Sequence, residues 1–301
     1  MTVEFAFGDM GDISNGTVRI GLPLLKGEPR ETVVGGVEPV GAEEGFSLWQ
    51  GGACRFGVAC SNPGGDIEAA TGRVYAGLLR ATKGLTLYRI WNVVPRINGG
   101  APGRLENYHA FCRGRSVAFE SALGTGFPRK LPAASAVGTA AGEITVAFLA
   151  GPGPARNFEN PAQVPAYEYP PEHGPRPPSF ARATVVENGA GIDVFVSGTS
   201  AVVGHETVAP NDTEAQLECT LTNLLGISRA CGLGDHFGSG ARCRRHFKVY
   251  LRRAGDLAPV ALQMRRRILA PGDLVTYLGA DICRSALNVE IEVAVRGADS
   301  I

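Results

Sequence analysis

The chain has 301 residues, enough for one large domain or two of ordinary size, and 44% of them are apolar. Its 29 basic and 29 acidic residues balance, so no net charge favours nucleic acid or an anionic membrane surface as a partner. Because the N-terminus lacks a signal-peptide pattern, no apolar run reaches a membrane span of roughly 20 residues, and the seven cysteines are scattered, we expect a cytoplasmic protein with reduced thiols.

The first half of the chain alternates amphipathic helices with strands. Apolar residues recur at helical spacing after Asp66, a good N-cap, and alternate at strand spacing later. The predicted elements are a helix opened by Asp66, a strand over 85–94, a helix over about 103–123 and a strand over 143–149.

A proline-rich segment from Gly151 to Pro178 follows, and its composition predicts irregular structure. Aromatic residues lie among its prolines, which favours a segment that packs across a surface or covers a cleft. The order of elements then recurs, after two hairpin strands at 183–186 and 192–196, as a helix capped by Asn211 or Asp212, a strand over 247–251, a helix over about 257–268 and a strand over 287–293.

This repeated order predicts an α+β protein made of two similar halves, residues 1–150 and 151–301. Strands connected through helices imply mixed β-sheets with the helices packed on one face of each sheet.

The last predicted strand carries a row of carboxylates. Glu290 and Glu292 share one face with Asn288, whereas the opposite face is apolar and belongs to a core. The acidic face is either solvated or lines a pocket. In a pocket, burial would raise the pKa of Glu290 and make it a proton donor near neutral pH.

Arg115 lies on the apolar stripe of the second predicted helix, together with Tyr108. Burying a guanidinium is costly unless it meets an anion. Arg115 therefore forms an internal salt bridge, extends to the surface, or holds a carboxylate of a ligand in a bidentate contact.

Two small-residue positions have several interpretations. Cys283 is a small core residue, a pocket-lining group or a nucleophile, although no nearby histidine supports the last. Gly198, in the turn from Ser197 to Ser200, belongs either to a tight turn or to a close approach of the backbone to a ligand. A Ser-His-Asp triad cannot be assembled with any specificity here.

Metal and nucleotide sites have little support. The spacing of Cys231, His236, Cys243 and His246 matches none of the common zinc patterns, and the chain contains no phosphate-binding glycine loop. We therefore expect no metal and no cofactor.

Several stretches, taken together and in this order, carry a family resemblance. The C-terminal half resembles the YjgF-like (reactive intermediate deaminase) fold at 196–199, 215–223, 249–251 and 289–292. The stretches 88–98, 108–115, 160–170 and 279–284, with Glu290, resemble one group of that fold, the chorismatases, and span most of the chain from 85 to 293. The first 60 residues add nothing to the resemblance.

The resemblance implies cleavage of chorismate with release of pyruvate from its enolpyruvyl ether. Glu290 matches the family's catalytic glutamate and would supply the proton. Arg115, with Arg252 as a weaker candidate, would bind substrate carboxylates. Tyr108 and Tyr167 would hold the ring and a carboxylate, and Thr199 is also assigned to substrate binding.

The resemblance also bears on the product. Gly198 and Cys283, seven residues before Glu290, match the members that form 3-hydroxybenzoate; the alternatives are hydrolysis to a dihydroxy-cyclohexadiene acid and formation of 4-hydroxybenzoate. Pairing of the two halves makes a monomer the expected state. Two other functions stay open: an imine deaminase that uses Arg284, and a small-molecule binder without activity.

Overall fold

Each half of the chain forms a mixed β-sheet with two helices on one face. The computed structural model describes residues 1–8, 12–52, 54–100, 103–189, 191–238 and 243–298. The elements of the first half are β1 (Thr2–Gly8), β2 (Asp12–Ser14), β3 (Thr17–Gly21), β4 (Leu24–Gly27), β5 (Arg30–Gly35), β6 (Glu38–Glu43), β7 (Phe46–Gly51), β8 (Cys54–Ser61), α1 (Ile67–Ala81), β9 (Thr86–Pro95), α2 (Asn107–Leu123), β10 (Ala133–Thr139) and β11 (Ile144–Gly151).

The second half repeats this arrangement after a short additional strand. Its elements are β12 (Ala155–Phe158), β13 (Ala183–Asn188), β14 (Gly191–Thr199), β15 (Val202–Val203), β16 (Glu206–Thr207), α3 (Thr213–Ala230), β17 (Arg244–Leu251), α4 (Leu257–Arg267), β18 (Leu274–Gly279) and β19 (Val289–Ala298). Short 3₁₀ turns lie at Phe127–Lys130, Ala166–Glu168, Pro171–His173, Gly234–His236 and Ala254–Asp256.

The two large sheets have the same topology. The first has the order β10-β9-β11-β8-β7-β6, and the second has the order β12-β13-β14-β19-β17-β18-β4. In each sheet the strand before the second helix runs parallel to the strand after it, and the final strand inserts antiparallel beside the first of them. The predicted α+β class, with two halves built on one plan, is therefore confirmed.

The structure has four layers, in the order helices, sheet, sheet, helices. The outer face of the first sheet packs on α1 and α2, and the outer face of the second packs on α3 and α4. The inner faces share a third core, to which β1, β3 and β5 of a small four-stranded sheet also contribute. Side chains on the inner face of β19 consequently lie between the two halves.

Local sequence explains where the helices begin and how closely they pack. The carboxylates of Asp66 and Asp212 accept hydrogen bonds from the third following backbone N–H, as N-caps do, at 2.9 and 3.1 Å. Gly114 lies where α1 and α2 touch, and a β-carbon there would come within 2.4 Å of the Glu68 carbonyl oxygen.

The structure corrects four details of the sequence prediction. The proline-rich segment is not wholly irregular, since it contains β12, which pairs with β13 after the segment. Strands β10 and β18 were not predicted, and α2 begins at Asn107 rather than near residue 103. The uninformative first 60 residues form β1 to β7 and most of β8, and β4 joins the sheet of the second half. Among the described residues, no helix is both long and apolar enough to cross a membrane.

Candidate active site

The alternation of β19 places Glu290 inside the protein rather than on a solvated face. Val289, Ile291 and Val293 pack toward α3 and α4. The acidic positions between them therefore point to the space between the two sheets. Both Glu290 and Glu292 are only 3% exposed.

The Glu290 carboxyl has few polar partners. Its Oε2 accepts a hydrogen bond from Ser200 Oγ at 3.3 Å, and its buried Oε1 has no hydrogen-bond partner among the described residues. Burial, and secondarily the charge of Glu292, raises the pKa of Glu290 to about 8. This carboxyl is consequently protonated at neutral pH and able to donate a proton.

Glu292, two residues further along the same strand, behaves in the opposite way. Its Oε1 lies 2.5 Å from Lys248 Nζ, and its Oε2 accepts a hydrogen bond from Arg89 Nη2 at 2.6 Å. Burial by itself would raise the pKa of Glu292, but Lys248 and then Arg89 outweigh it and lower that pKa to about 2. One strand thus holds a neutral acid beside a permanent anion, a pattern typical of acid–base sites.

Gly198 provides the space that the Glu290 carboxyl occupies. A β-carbon at position 198 would lie 2.0 Å from Glu290 Oε1 and 2.6 Å from its carboxyl carbon. Any larger residue would force the carboxyl to move. The sequence offered a tight turn or a close approach of the backbone to a ligand, and in the structure the backbone at Gly198 closely approaches the side chain of Glu290.

A cavity of about 240 Å³ adjoins this acid, at the edge strand β10 of the first sheet. It is lined by α2, β10, the proline-rich segment, the end of β14 and the loop before β19. Its lining includes Tyr108, His109, Arg115, Ala134, Ser135, Ala136, Tyr169, Glu172, His173, Pro178, Phe180, Arg182, Gly198, Ser200, Val202, Cys283, Arg284, Leu287 and Glu290.

Two larger hollows lie elsewhere. One of about 840 Å³ adjoins the start of α1, and one of about 1030 Å³ runs along α1 and α2. Neither is lined by a buried carboxyl, whereas the smaller cavity combines a protonated acid with several guanidinium groups. We therefore place the chemistry in the smaller cavity.

Arg115 brings a buried cation to this cavity. It is 1% exposed, its guanidinium lies 4.9 Å from the Phe111 ring, and its Nε has no hydrogen-bond partner among the described residues. No carboxylate of the described residues forms an ion pair with it, so the internal salt bridge considered from sequence is not observed. A buried guanidinium that lacks a carboxylate partner is able to bind an anionic ligand. Tyr108 lines the cavity beside it.

Cys283 also lines the cavity, as a neutral thiol. Burial, and then the nearby Glu290, raises its pKa to about 12. A thiol with that pKa does not ionise at neutral pH, so Cys283 shapes the cavity rather than acting as a nucleophile.

Three predicted residues lie outside the cavity lining. Arg252 forms an ion pair with Asp281 and donates hydrogen bonds to the backbone oxygens of Ile282 and Arg284, so it supports the loop that carries Cys283. Thr199 Oγ1 donates to the Ser197 carbonyl oxygen within its own strand.

Tyr167 is the third of these residues. It packs against the core under α1 and α2. The tyrosine that reaches the cavity is Tyr169, two residues later in the same proline-rich segment.

Two further arginines line the cavity: Arg182, which sequence reasoning missed, and Arg284, which it named only for the deaminase alternative. Arg182 Nη2 donates a hydrogen bond to the Tyr169 hydroxyl at 2.7 Å. Arg284 lies with its guanidinium 5.3 Å from the Tyr169 ring and donates to the His205 carbonyl oxygen at 2.9 Å. Both belong to irregular segments, where periodicity carries no signal; for Arg284 its place directly after Cys283 was the available clue.

The four residues weighed as zinc ligands are not brought together. Cys231 is packed in the core of the second half, and His246 Nε2 lies 2.8 Å from Thr276 Oγ1. In the part of the chain that the structure describes, His, Cys, Asp and Glu ligand atoms converge in another place, at the outer end of the cavity.

A neutral buried carboxylic acid lies beside a buried guanidinium, that of Arg115, which has no carboxylate partner among the described residues, and this arrangement suits acid catalysis on an anionic small molecule. Comparison with known proteins identifies the family. The family model described as "Chorismatase FkbO/Hyg5-like, N-terminal" matches residues 34–150. A 3-hydroxybenzoate synthase of Streptomyces hygroscopicus is 36% identical over 266 residues, which cover 85% of this chain and 77% of that protein.

Two further similarities extend over nearly the whole chain. A chorismatase of Streptomyces rapamycinicus is 36% identical over 310 residues, covering 95% of this chain and 92% of the relative. A crystal structure of a chorismatase matches with a TM-score of 0.83 and 32% identity, covering 98% of this chain and 92% of the other. The chain belongs to the chorismatase family.

Proposed function

We propose that this protein cleaves chorismate into pyruvate and 3-hydroxybenzoate without a cofactor. The observation that carries the proposal is the protonated, buried carboxyl of Glu290 beside a cavity whose Arg115 has no acidic partner among the described residues. The names of the relatives supply the substrate, and the geometry supplies a role for each residue.

Glu290 acts as the general acid in this proposal. Protonation of the methylene carbon of the enolpyruvyl group gives an oxocarbenium ion at the ether carbon, which a hydroxyl group then attacks. A donor of this kind must be uncharged before the substrate arrives, and the raised pKa of Glu290 meets that requirement. General acid catalysis typically contributes about 10²–10⁴ in rate.

The guanidinium groups bind the two substrate carboxylates. Arg115 is the strongest candidate because it is buried and has no anionic partner in the described part of the chain. Arg182 and Arg284 also line the cavity, and of these two Arg182 already has a carboxylate partner, Glu159 Oε2, at 3.9 Å from its Nε. Charged hydrogen bonds of this type contribute about 1.5–3 kcal/mol each.

The choice of product depends on what attacks the oxocarbenium ion. Attack by the substrate's own ring hydroxyl, followed by loss of pyruvate and of a ring proton, gives an aromatic acid with no net addition of water. Attack by water gives the dihydroxy-cyclohexadiene acid instead. Gly198 and Cys283 both line the space beside Glu290, and we infer that their small side chains control whether a water molecule or the ring hydroxyl reaches the reacting carbon.

The test is direct. Purified protein incubated with chorismate releases pyruvate, measured by coupling to lactate dehydrogenase, and chromatography identifies 3-hydroxybenzoate as the second product. Equimolar pyruvate with a diene acid or 4-hydroxybenzoate would revise the product only. Absence of pyruvate from correctly folded protein would reject the activity, and ammonia released from imines would favour the deaminase.

We also propose that the protein acts as a cytoplasmic monomer that binds no nucleic acid and no membrane. The two sheets already cover each other's inner faces, so a second copy is not needed to complete the cavity. Light scattering after size exclusion gives the mass of one chain, 31.5 kDa, if this holds. A stable dimer mass would contradict it.

A further inference from the structure

Two histidines meet at the outer end of the cavity, outside the groups used in the proposed chemistry. His173 lies in the 3₁₀ turn Pro171–His173, and His205 lies in the turn between β15 and β16. His173 Nε2 and His205 Nδ1 are 3.0 Å apart. The two rings come from segments about thirty residues apart in sequence, so the fold has to bring them together.

Two carboxylates point at the same ring nitrogens. Glu172 Oε1 lies 3.7 Å from His173 Nε2 and 3.6 Å from His205 Nδ1, and Glu206 Oε1 lies 3.2 Å from His205 Nδ1. All four ligand atoms lie within 4.8 Å of one another. Neither glutamate forms an ion pair with a lysine or arginine among the described residues. Burial, and then the charge of nearby Arg284, lowers the pKa of His173, which favours the neutral imidazole that a metal ion requires.

The distances fit a four-coordinate ion. Zinc is bound at about 2.0–2.1 Å by imidazole nitrogen and carboxylate oxygen, so ligand atoms at the corners of a tetrahedron lie about 3.3 Å apart. The separation of the two histidine nitrogens and those from these nitrogens to the carboxylate oxygens, 3.0–3.7 Å, bracket that value. Glu172 and Glu206 are 60% and 64% exposed, so their carboxylates are free to make the small adjustment that coordination requires.

We propose that Glu172, His173, His205 and Glu206 form a binding site for a divalent transition-metal ion, with zinc the best match. Two imidazoles and two carboxylates suit zinc better than calcium or magnesium, which prefer oxygen ligands only. Because four protein ligands leave no open coordination position, the ion is structural. It ties the proline-rich segment to the β15–β16 turn at the entrance of the cavity.

Binding is tested on the full-length chain, without reference to turnover. After treatment with a chelator, titration calorimetry with zinc chloride shows one saturable site per chain, native mass spectrometry shows one zinc ion, and the melting temperature rises with zinc concentration. The double variant His173→Ala/His205→Ala binds zinc more than about 100-fold more weakly, beyond the usual effect of losing an outer-shell partner.

Two further variants keep the test decisive. Glu206→Gln changes an exposed side chain and weakens binding even if the double variant does not fold. The matched control is His236→Ala, because His236 is also exposed but lies outside the cluster, and its zinc affinity stays at the wild-type value. The proposal is overturned if wild-type protein shows no saturable zinc site, or if affinity is unchanged in Glu206→Gln and in the double variant, or if His236→Ala weakens it equally.

Discussion

The two halves of this protein share one topology but differ on the inner face of their last strand. In β11 that face carries Thr145, Ala147 and Leu149, whereas in β19 the inner face carries Glu290 and Glu292. The outer faces of both strands are apolar and pack on helices. The shared topology therefore fixes the direction in which each side chain points. The residue types on the inner face of the last strand decide whether that face packs or carries an acid.

The first half supplies two cations to the site, while Lys248, Arg182 and Arg284 come from the second half. Arg89 on β9 holds Glu292 in its charged form, and Arg115 on α2 brings an unpaired guanidinium to the cavity. Neither half contains the complete site. Catalysis here would therefore require residues from both halves.

The largest expected effect comes from removing the acid on β19. Glu290→Gln keeps a neutral, nearly isosteric side chain but cannot donate the proton, so kcat for pyruvate release falls by about 10²–10⁴. The matched change on β11, Thr145→Val, leaves kcat unchanged because that position has no chemical role. Full activity in Glu290→Gln would remove this residue from the mechanism.

Two buried arginines of the first half are expected to respond in opposite ways. Arg89→Met leaves Glu292 with Lys248 as its remaining close cation and lowers the free energy of unfolding by about 3 kcal/mol, measured by urea denaturation. Arg115→Met removes a buried cation without an acidic partner in the described chain, so stability is kept or rises. Its kcat/KM for chorismate falls about 100-fold because a charged contact to the substrate is lost. Equal destabilisation by both variants would contradict the assignment of Arg115 to substrate binding.

Gly198→Ala is expected to displace the acid. The added methyl group conflicts with Glu290 Oε1, and a misplaced catalytic group lowers kcat by about 10–100-fold. Gly142→Ala is the control in the first half, since a β-carbon there meets no atom within 4 Å. Unchanged kcat in both variants would show that the glycine is not needed to position the carboxyl.

The smallest effect concerns the product rather than the rate. Cys283→Val, combined with Gly198→Ala, changes the space beside Glu290 and shifts product toward the dihydroxy-cyclohexadiene acid relative to Gly198→Ala alone, as measured by chromatography. Cys60→Val, at an exposed cysteine on β8, leaves the product ratio unchanged. A constant ratio in all variants would separate these two positions from product choice.

The sequence was informative wherever periodicity or spacing carried the signal. Alternation on β19 put Glu290 and Glu292 on the face opposite the apolar one, and the helical stripe put Arg115 and Tyr108 on one face of α2. Whether these side chains are solvated or line a pocket was left open by the sequence. The turn residue Gly198 and the loop residue Cys283 came from the family resemblance, and the structure places both at the cavity.

The positions of the other candidate residues depend on tertiary contacts that no local sequence pattern encodes. A proline-rich segment has no fixed period, so the sequence could not show that Tyr169 rather than Tyr167 lines the cavity, nor that Arg182, just after the segment, does so. Thr199 follows a register shift in the pairing of β14 with β19, and the alternation of residues along the strand does not predict such a shift. Arg252 was placed at the substrate because it is a cation after a strand, but nearby carbonyl groups bind it instead.

The most direct test of the account is the titration of the Glu290 carboxyl itself. Carbon-13 NMR of glutamate-labelled protein, with Glu290→Gln identifying the resonance, is expected to show an apparent pKa near 8, and kcat/KM is expected to fall as pH rises through that value because the protonated form is the active one. A Glu290 resonance that titrates near 4.5, the ordinary value of a glutamate, would contradict the central claim that the protein stores this proton at neutral pH.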